Sequence, residues 1–215
     1  MDFARALTAR PWTIGPADIG RLSEAGLSRP SIVLVIGLVA LFNYLTRVAD
    51  GTGIEADYGT ELPGFVYRGF TEAAQRPEPA DWPPVDSSIQ LLSLLPGVHE
   101  AWGRWREYVL DCPTPIPETT RLGLRTIAAR NACDGVIAPP DRADPKAAED
   151  LPDAVSDFAE KLSRTPWLTA AADVDALRAL GMDDPAILHV IAVVAYQSAE
   201  SRLRIGLSAL ARSED

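Results

Sequence analysis

The chain has 215 residues, is 47% hydrophobic and 23% charged, and carries a net charge of −10. That balance fits a globular chain with enough apolar residues for one core or a duplicated one. No overall excess of lysine and arginine marks a nucleic-acid surface, so no nucleic-acid partner is expected.

Residues 2–9 read as a short amphipathic helix with Phe3, Ala6 and Leu7 on one face, stopped by Pro11-Trp12. A second helix starts near Pro16, where a first-turn proline is well placed, and Gly26 is its expected terminator. Ser28 is a good N-cap for a long helix that should run to about Asp50 and end at Gly51. Its apolar run, Ile32–Phe42, is about half of what a bilayer span needs, and Asn43 and Arg47 follow at once. It reads as a core helix. MDFARALTARPW has an acidic second residue and no apolar stretch of signal-peptide type, so a cytoplasmic chain without membrane contact is expected.

Residues 52–85 are broken by glycine and proline and read as an irregular connection, with a short helix expected over 65–74. Helical patterning returns with Ile89, Leu92 and Leu95. It continues through 98–110, where Ala101, Trp102, Trp105 and Val109 share a face. Cys112–Pro117 reads as a proline-rich turn. A helix over 118–133 puts Leu122, Leu124, Ile127 and Ala128 inward and Arg121, Arg125 and Arg130 on its charged side. After the prolines at 139, 140 and 145, helices fill the chain to about Ala211. No stretch alternates as a strand does, so the fold class is all-α.

The long helix is written twice. Shifted by 155 positions, SIVLVIGLVALFNYLTRVADG (Ser31–Gly51) falls on AILHVIAVVAYQSAESRLRIG (Ala186–Gly206) without a gap, and DFARALTARPW (from Asp2) falls on DFAEKLSRTPW (from Asp157). Asp18 and Asp173, Gly26 and Gly181, Ile36 and Ile191, Arg47 and Arg202, and Gly51 and Gly206 coincide. One register over roughly fifty residues implies an internal duplication: two helical hairpins about a pseudo-twofold axis. The expected organisation is a first hairpin over 1–51, the connection over 52–85, and a core over 86–215 that ends in the second copy, 157–206, all forming one unit.

These repeated stretches, with LLSLLPGVHEAWGRWREYVL and TTRLGLRTIAARNACDGVIAPP between them, resemble the AhpD-like alkylhydroperoxidase and carboxymuconolactone decarboxylase superfamily, in its peroxidase-related branch. The resemblance covers most of residues 1–51 and 86–206. It implies an AhpD-like helical fold, assembly into a homo-oligomer, and a Cys-x-x-Cys centre fed by a glutamate and a histidine. In such a centre a thiolate attacks a hydroperoxide and the second cysteine resolves the sulfenic acid. Here Cys133 takes the first cysteine's place, but the second falls on Val136, the histidine on Pro139 or Pro140, and the glutamate on Arg121. Valine cannot resolve a sulfenic acid and proline carries no proton. The expectation is a lost dithiol centre, with Cys112 the only other thiol.

Three candidate catalytic residues remain. Cys133 is beside Arg121 and Arg130, which would favour a thiolate; a small buried apolar role is the plainer reading. Arg121 stands in the relay position. His189 replaces Leu34 of the first copy, as a core histidine or as a general base in a pocket. Asn43, Tyr44, Arg47 and Arg202 are candidate ligand-binding residues. The two arginines recur at the end of buried helices, where each caps a neighbouring helix or pairs with an acid, or where both line an anion-binding pocket. Two histidines and one nearby cysteine make no zinc set, so neither metal nor cofactor is expected. Three functions stay open: chemistry on a small organic substrate in a helical pocket, non-catalytic binding of a small molecule or partner, and retained hydroperoxide reduction.

Overall fold

The computed structural model describes residues 2–54, 72–78, 88–111, 115–134 and 145–213. The described residues contain helices and turns and no strand: the chain is all-α. α1 (Asp2–Ala9), a 3-10 turn (Pro11–Thr13), α2 (Pro16–Glu24) and α3 (Arg29–Thr52) come first. A 3-10 helix (Ser88–Leu94), α4 (Pro96–Arg106), a π-helical turn (Glu107–Asp111), α5 (Glu118–Asn131) and α6 (Pro145–Glu149) fill the middle. α7 (Asp153–Arg164), a 3-10 turn (Pro166–Leu168), α8 (Ala171–Ala179) and α9 (Asp184–Arg212) close the chain.

The two ends of the chain use the same local devices 155 positions apart. Ser28 caps α3 by accepting from the Ser31 backbone N–H at 3.4 Å, and Asp183 caps α9 by accepting from Ala186 at 2.9 Å. Each helix has a proline in its first turn. Asp18 accepts from the Gly15 N–H at 2.9 Å and Asp173 from the Ala170 N–H at 2.8 Å, which satisfies the same orphan donor at the head of α2 and of α8. Gly26 and Gly181 both take positive φ, 90° and 85°, to turn the chain into the long helices.

α3 and α9 pack on one another and form the centre of the molecule. Gly51 and Gly206 allow the contact. A Cβ on Gly51 would stand 3.0 Å from Ile191 Cγ2, and one on Gly206 would stand 2.7 Å from Ile36 Cγ2. Gly51 therefore does not end α3, as its sequence position suggests. The helix runs on to Thr52, and Gly53 terminates it at a φ of 70°. Leu7, Ile36, Phe158, Leu162, Ile191, Tyr196 and Leu203 are fully buried around this contact. One described helix, α3, is long and apolar enough to cross a membrane by length and composition.

The central segment mainly covers α9: the 3-10 helix at 88–94, the π-helical turn and α5 all pack against α9, while α3 is met by the 3-10 helix and, at Tyr44, by Trp105 of α4. Arg125 is not on a solvated face of α5. It is buried against α9, with its Nε donating to Gln197 Oε1 at 2.7 Å and its Nη2 3.3 Å from Glu200 Oε2. Gln197 and Glu200, far along the sequence, supply the polar partners that allow its burial. The helix expected over 65–74 falls mostly outside the described residues; 72–78 carry no regular element. Cys112, Val136, Pro139 and Pro140 also lie outside them.

Candidate ligand cavity between the two hairpins

A cavity of about 370 Å³ opens where α1 and α7 meet α3 and α9. Its wall includes Thr8, Trp12, Thr46, Arg47 and Asp50 from the first part of the chain, and Ser163, Arg164, Trp167 and Arg202 from the last. Thr8 and Ser163, Trp12 and Trp167, and Arg47 and Arg202 are each 155 positions apart. Glu72, Arg76 and Asn131 complete it on one side.

Arg47 and Arg202 are buried, at 4% and 5% exposure. Arg47 reaches across to the second hairpin: its Nη2 donates to the Ser163 carbonyl at 2.8 Å, in the last turn of α7. Arg202 reaches the other way. Its Nε and Nη2 donate to the Thr8 carbonyl at 3.1 and 2.9 Å, in the last turn of α1. Each guanidinium thus caps a helix C-terminus of the opposite hairpin, where the dipole favours a cation. Their remaining bonds are local: Arg47 Nη1 to the Asn43 carbonyl at 3.0 Å and to Asn43 Oδ1 at 2.9 Å, and Arg202 Nη1 to the Ser198 carbonyl at 2.8 Å. Asn43 is held in turn by donating to Thr8 Oγ1 at 3.0 Å.

Among the described residues no carboxylate pairs with either arginine, and Arg47 Nε has no hydrogen-bond partner. Burial pushes Arg47 down to about 10, against a pull upward from Asp50, which leaves it cationic at neutral pH. Burial also pushes Arg202 well down, and the charge of Arg47 adds to that push. The two cations feel one another. By contrast, the other arginines of the cavity have an acid: Arg164 lies 3.1 Å and Arg76 3.8 Å from Glu160. Asn131 stitches this side, donating to Glu160 Oε2 at 2.7 Å and to Ser163 Oγ at 2.6 Å while accepting from Arg76.

The other residues singled out from the sequence lie elsewhere. Tyr44 leaves the cavity and meets Trp105 edge-on, with centroids 4.5 Å apart, in a cluster that includes Trp102 and Tyr196. Arg121 belongs to a separate polar cleft with Arg106, Asp111 and Glu118. His189 is half-buried near Arg121. Burial and that arginine push its pKa down, against a hydrogen bond to the Val109 backbone. Cys133 is fully buried at the end of α5, and burial pushes its thiol up to about 11 although Arg76 pulls the other way. Arg121 near the start of α5 and Asn131 at its end are about 15 Å apart along the helix. The structure therefore brings Arg47, Arg202 and Asn43 together, and does not bring Cys133, Arg121 and His189 into one site.

The sequence reading missed Thr8, Ser163, Trp12, Trp167 and Asp50 as cavity residues. Four of them sit in the repeated DFARALTARPW and DFAEKLSRTPW segments, and their recurrence was the available signal. Compared with protein-family models, curated proteins and solved structures, the chain matches none.

Proposed function

We propose that this protein binds a small organic anion, a carboxylate above all, in the cavity between its hairpins, and that Arg47 and Arg202 recognise it. We read the chain as an AhpD-like and carboxymuconolactone decarboxylase-like protein with a duplicated hairpin and no working dithiol centre. The observation that carries the binding reading is the buried pair of guanidiniums on one cavity wall, held by neutral carbonyl oxygens alone. Two like charges out of water are costly; Asp50 acts on Arg47 without pairing with it, and an anion entering the cavity would pair the guanidiniums directly. Charge-assisted hydrogen bonds from planar guanidiniums suit a carboxylate. Trp12 and Trp167 offer apolar surface for the rest of the molecule. Hydroperoxide reduction at Cys133 rests on the resemblance alone, and the buried, protonated thiol argues against it.

The test is thermal unfolding with benzoate or with neutral benzamide at constant ionic strength. Benzoate should raise Tm and benzamide should not. At a hundredfold excess over Kd the gain is about 2.7 kcal/mol. Arg202→Met should abolish the benzoate effect. Equal shifts with both compounds, or none across a series of small carboxylates, would refute the reading.

A further inference from the structure

Among the described residues, one face of α3 is left exposed. Leu34, Leu38, Leu41, Phe42 and Leu45 are each between 38% and 60% exposed. Their spacing puts them in one stripe, about 16 Å long. Gly37 lies within it, and a Cβ there would meet nothing within 4 Å. Between Arg29 and Arg47 the helix carries no charged residue.

The residues 155 positions later occupy the same face of α9, and there the face is covered. Val193 and Tyr196 are fully buried, Gln197 and Glu200 nearly so, and His189 is half-buried. Their cover is the central segment of the chain, which packs on α9. The chemistry differs in a telling way. Where α9 has Gln197 and Glu200, met by Arg125, α3 has Phe42 and Leu45. The stripe on α3 is thus suited to an apolar cover, not to water and not to an arginine-bearing helix like α5.

We propose that this cover is the same stripe of a second copy of the chain, in a dimer whose twofold axis passes near Gly37 and Leu41. Two identical uncharged stripes complement one another, and Gly37 lets the helices approach closely. A chain with a net charge of −10 opposes its own association wherever acids would face each other. This stripe offers none. The same charge disfavours an anionic bilayer. Each copy contributes roughly 400 Å² of apolar surface, within the size range of the largest, often functional, patch on a monomer. Two such stripes make an interface of the small, weakly associating class, which fits a dimer that dissociates on dilution. The dimer does not depend on what the cavity binds.

The test is the molar mass of the full chain by sedimentation equilibrium, for wild type, Leu41→Glu and Phe42→Glu, with helicity checked by circular dichroism. The wild type should be a dimer that dissociates on dilution. Each variant should keep its helicity and weaken the dimer more than tenfold. Leu38→Cys should give an intermolecular disulfide on oxidation, and Leu180→Cys, exposed just past the end of α8, should not. A wild type monomeric at every concentration would overturn the proposal. So would a dimer untouched by both glutamates, or a monomer that sediments with phosphatidylcholine vesicles.

Discussion

Cys133 shows how a residue's place in the sequence and its chemistry can part. The neighbouring arginines in the sequence suggest a thiolate, but Cys133 lies just past the end of α5 with its thiol fully buried, and the cation that acts on it is Arg76. Its folded pKa near 11, against 9.0 for the free group, lowers the thiolate fraction at neutral pH about a hundredfold. Alkylation by iodoacetamide should therefore be at least ~100-fold slower than in urea-unfolded protein, and hydroperoxide consumption should not exceed that of Cys133→Ser. The sign of the linked stability follows. Below pH 9 the thiol is protonated in both states and costs nothing. As pH rises from 9 to 11 only the unfolded thiol ionises, and stability falls. Rapid alkylation of the native protein would show that the burial is breached on a short timescale. Arg47 and Arg202 were legible as a recurring pair, but their partners are backbone carbonyls, which leave no mark on a sequence.

Elements were easier to read than sites, because caps and breakers act locally. Ser28, Gly26 and the first-turn prolines placed α2 and α3 within a few residues of their observed bounds. The errors came where a long-range contact decided the outcome. Gly51 reads as a terminator, yet it is kept small by Ile191, and Arg125 reads as solvated because Gln197 and Glu200 are some seventy residues away. Glycines of the two kinds should respond oppositely to one substitution. Gly206→Ala drives a methyl into the fully buried Ile36 and should cost about 1–3 kcal/mol. Gly20→Ala, inside α2 with nothing within 4 Å of its Cβ, should stabilise by about 0.5–1 kcal/mol. Urea titration of the two variants checks both signs. A neutral Gly206→Ala would mean that Ile36 has room to move and that the helix contact is looser than its geometry.

At the scale of the whole molecule, Arg47 and Arg202 tie the two hairpins reciprocally, each ending on a carbonyl of the other. The recurrence of segments 155 positions apart was readable; the cavity was not, since it forms only when those segments meet. The ties and the charge they bury make opposite demands, and a double-mutant cycle separates them. Replacing either arginine by methionine loses one tie but also relieves the repulsion between two buried cations. In the double variant both ties are lost, while the repulsion is relieved only once. The double variant should therefore be destabilised by more than the sum of the single ones, by about 1 kcal/mol. If instead the arginines act as one mechanical clamp, the first loss already frees the hairpins, and the double variant falls short of the sum. Benzoate stabilises the wild type alone, so it should shrink the excess and, at a hundredfold excess over Kd, where binding adds about 2.7 kcal/mol, reverse it. Urea titration of the four proteins with and without benzoate measures both terms: an excess in buffer that becomes a shortfall with the carboxylate is the signature of a cavity whose charge is left for a ligand to complete, whereas a mechanical clamp gives a shortfall already in buffer.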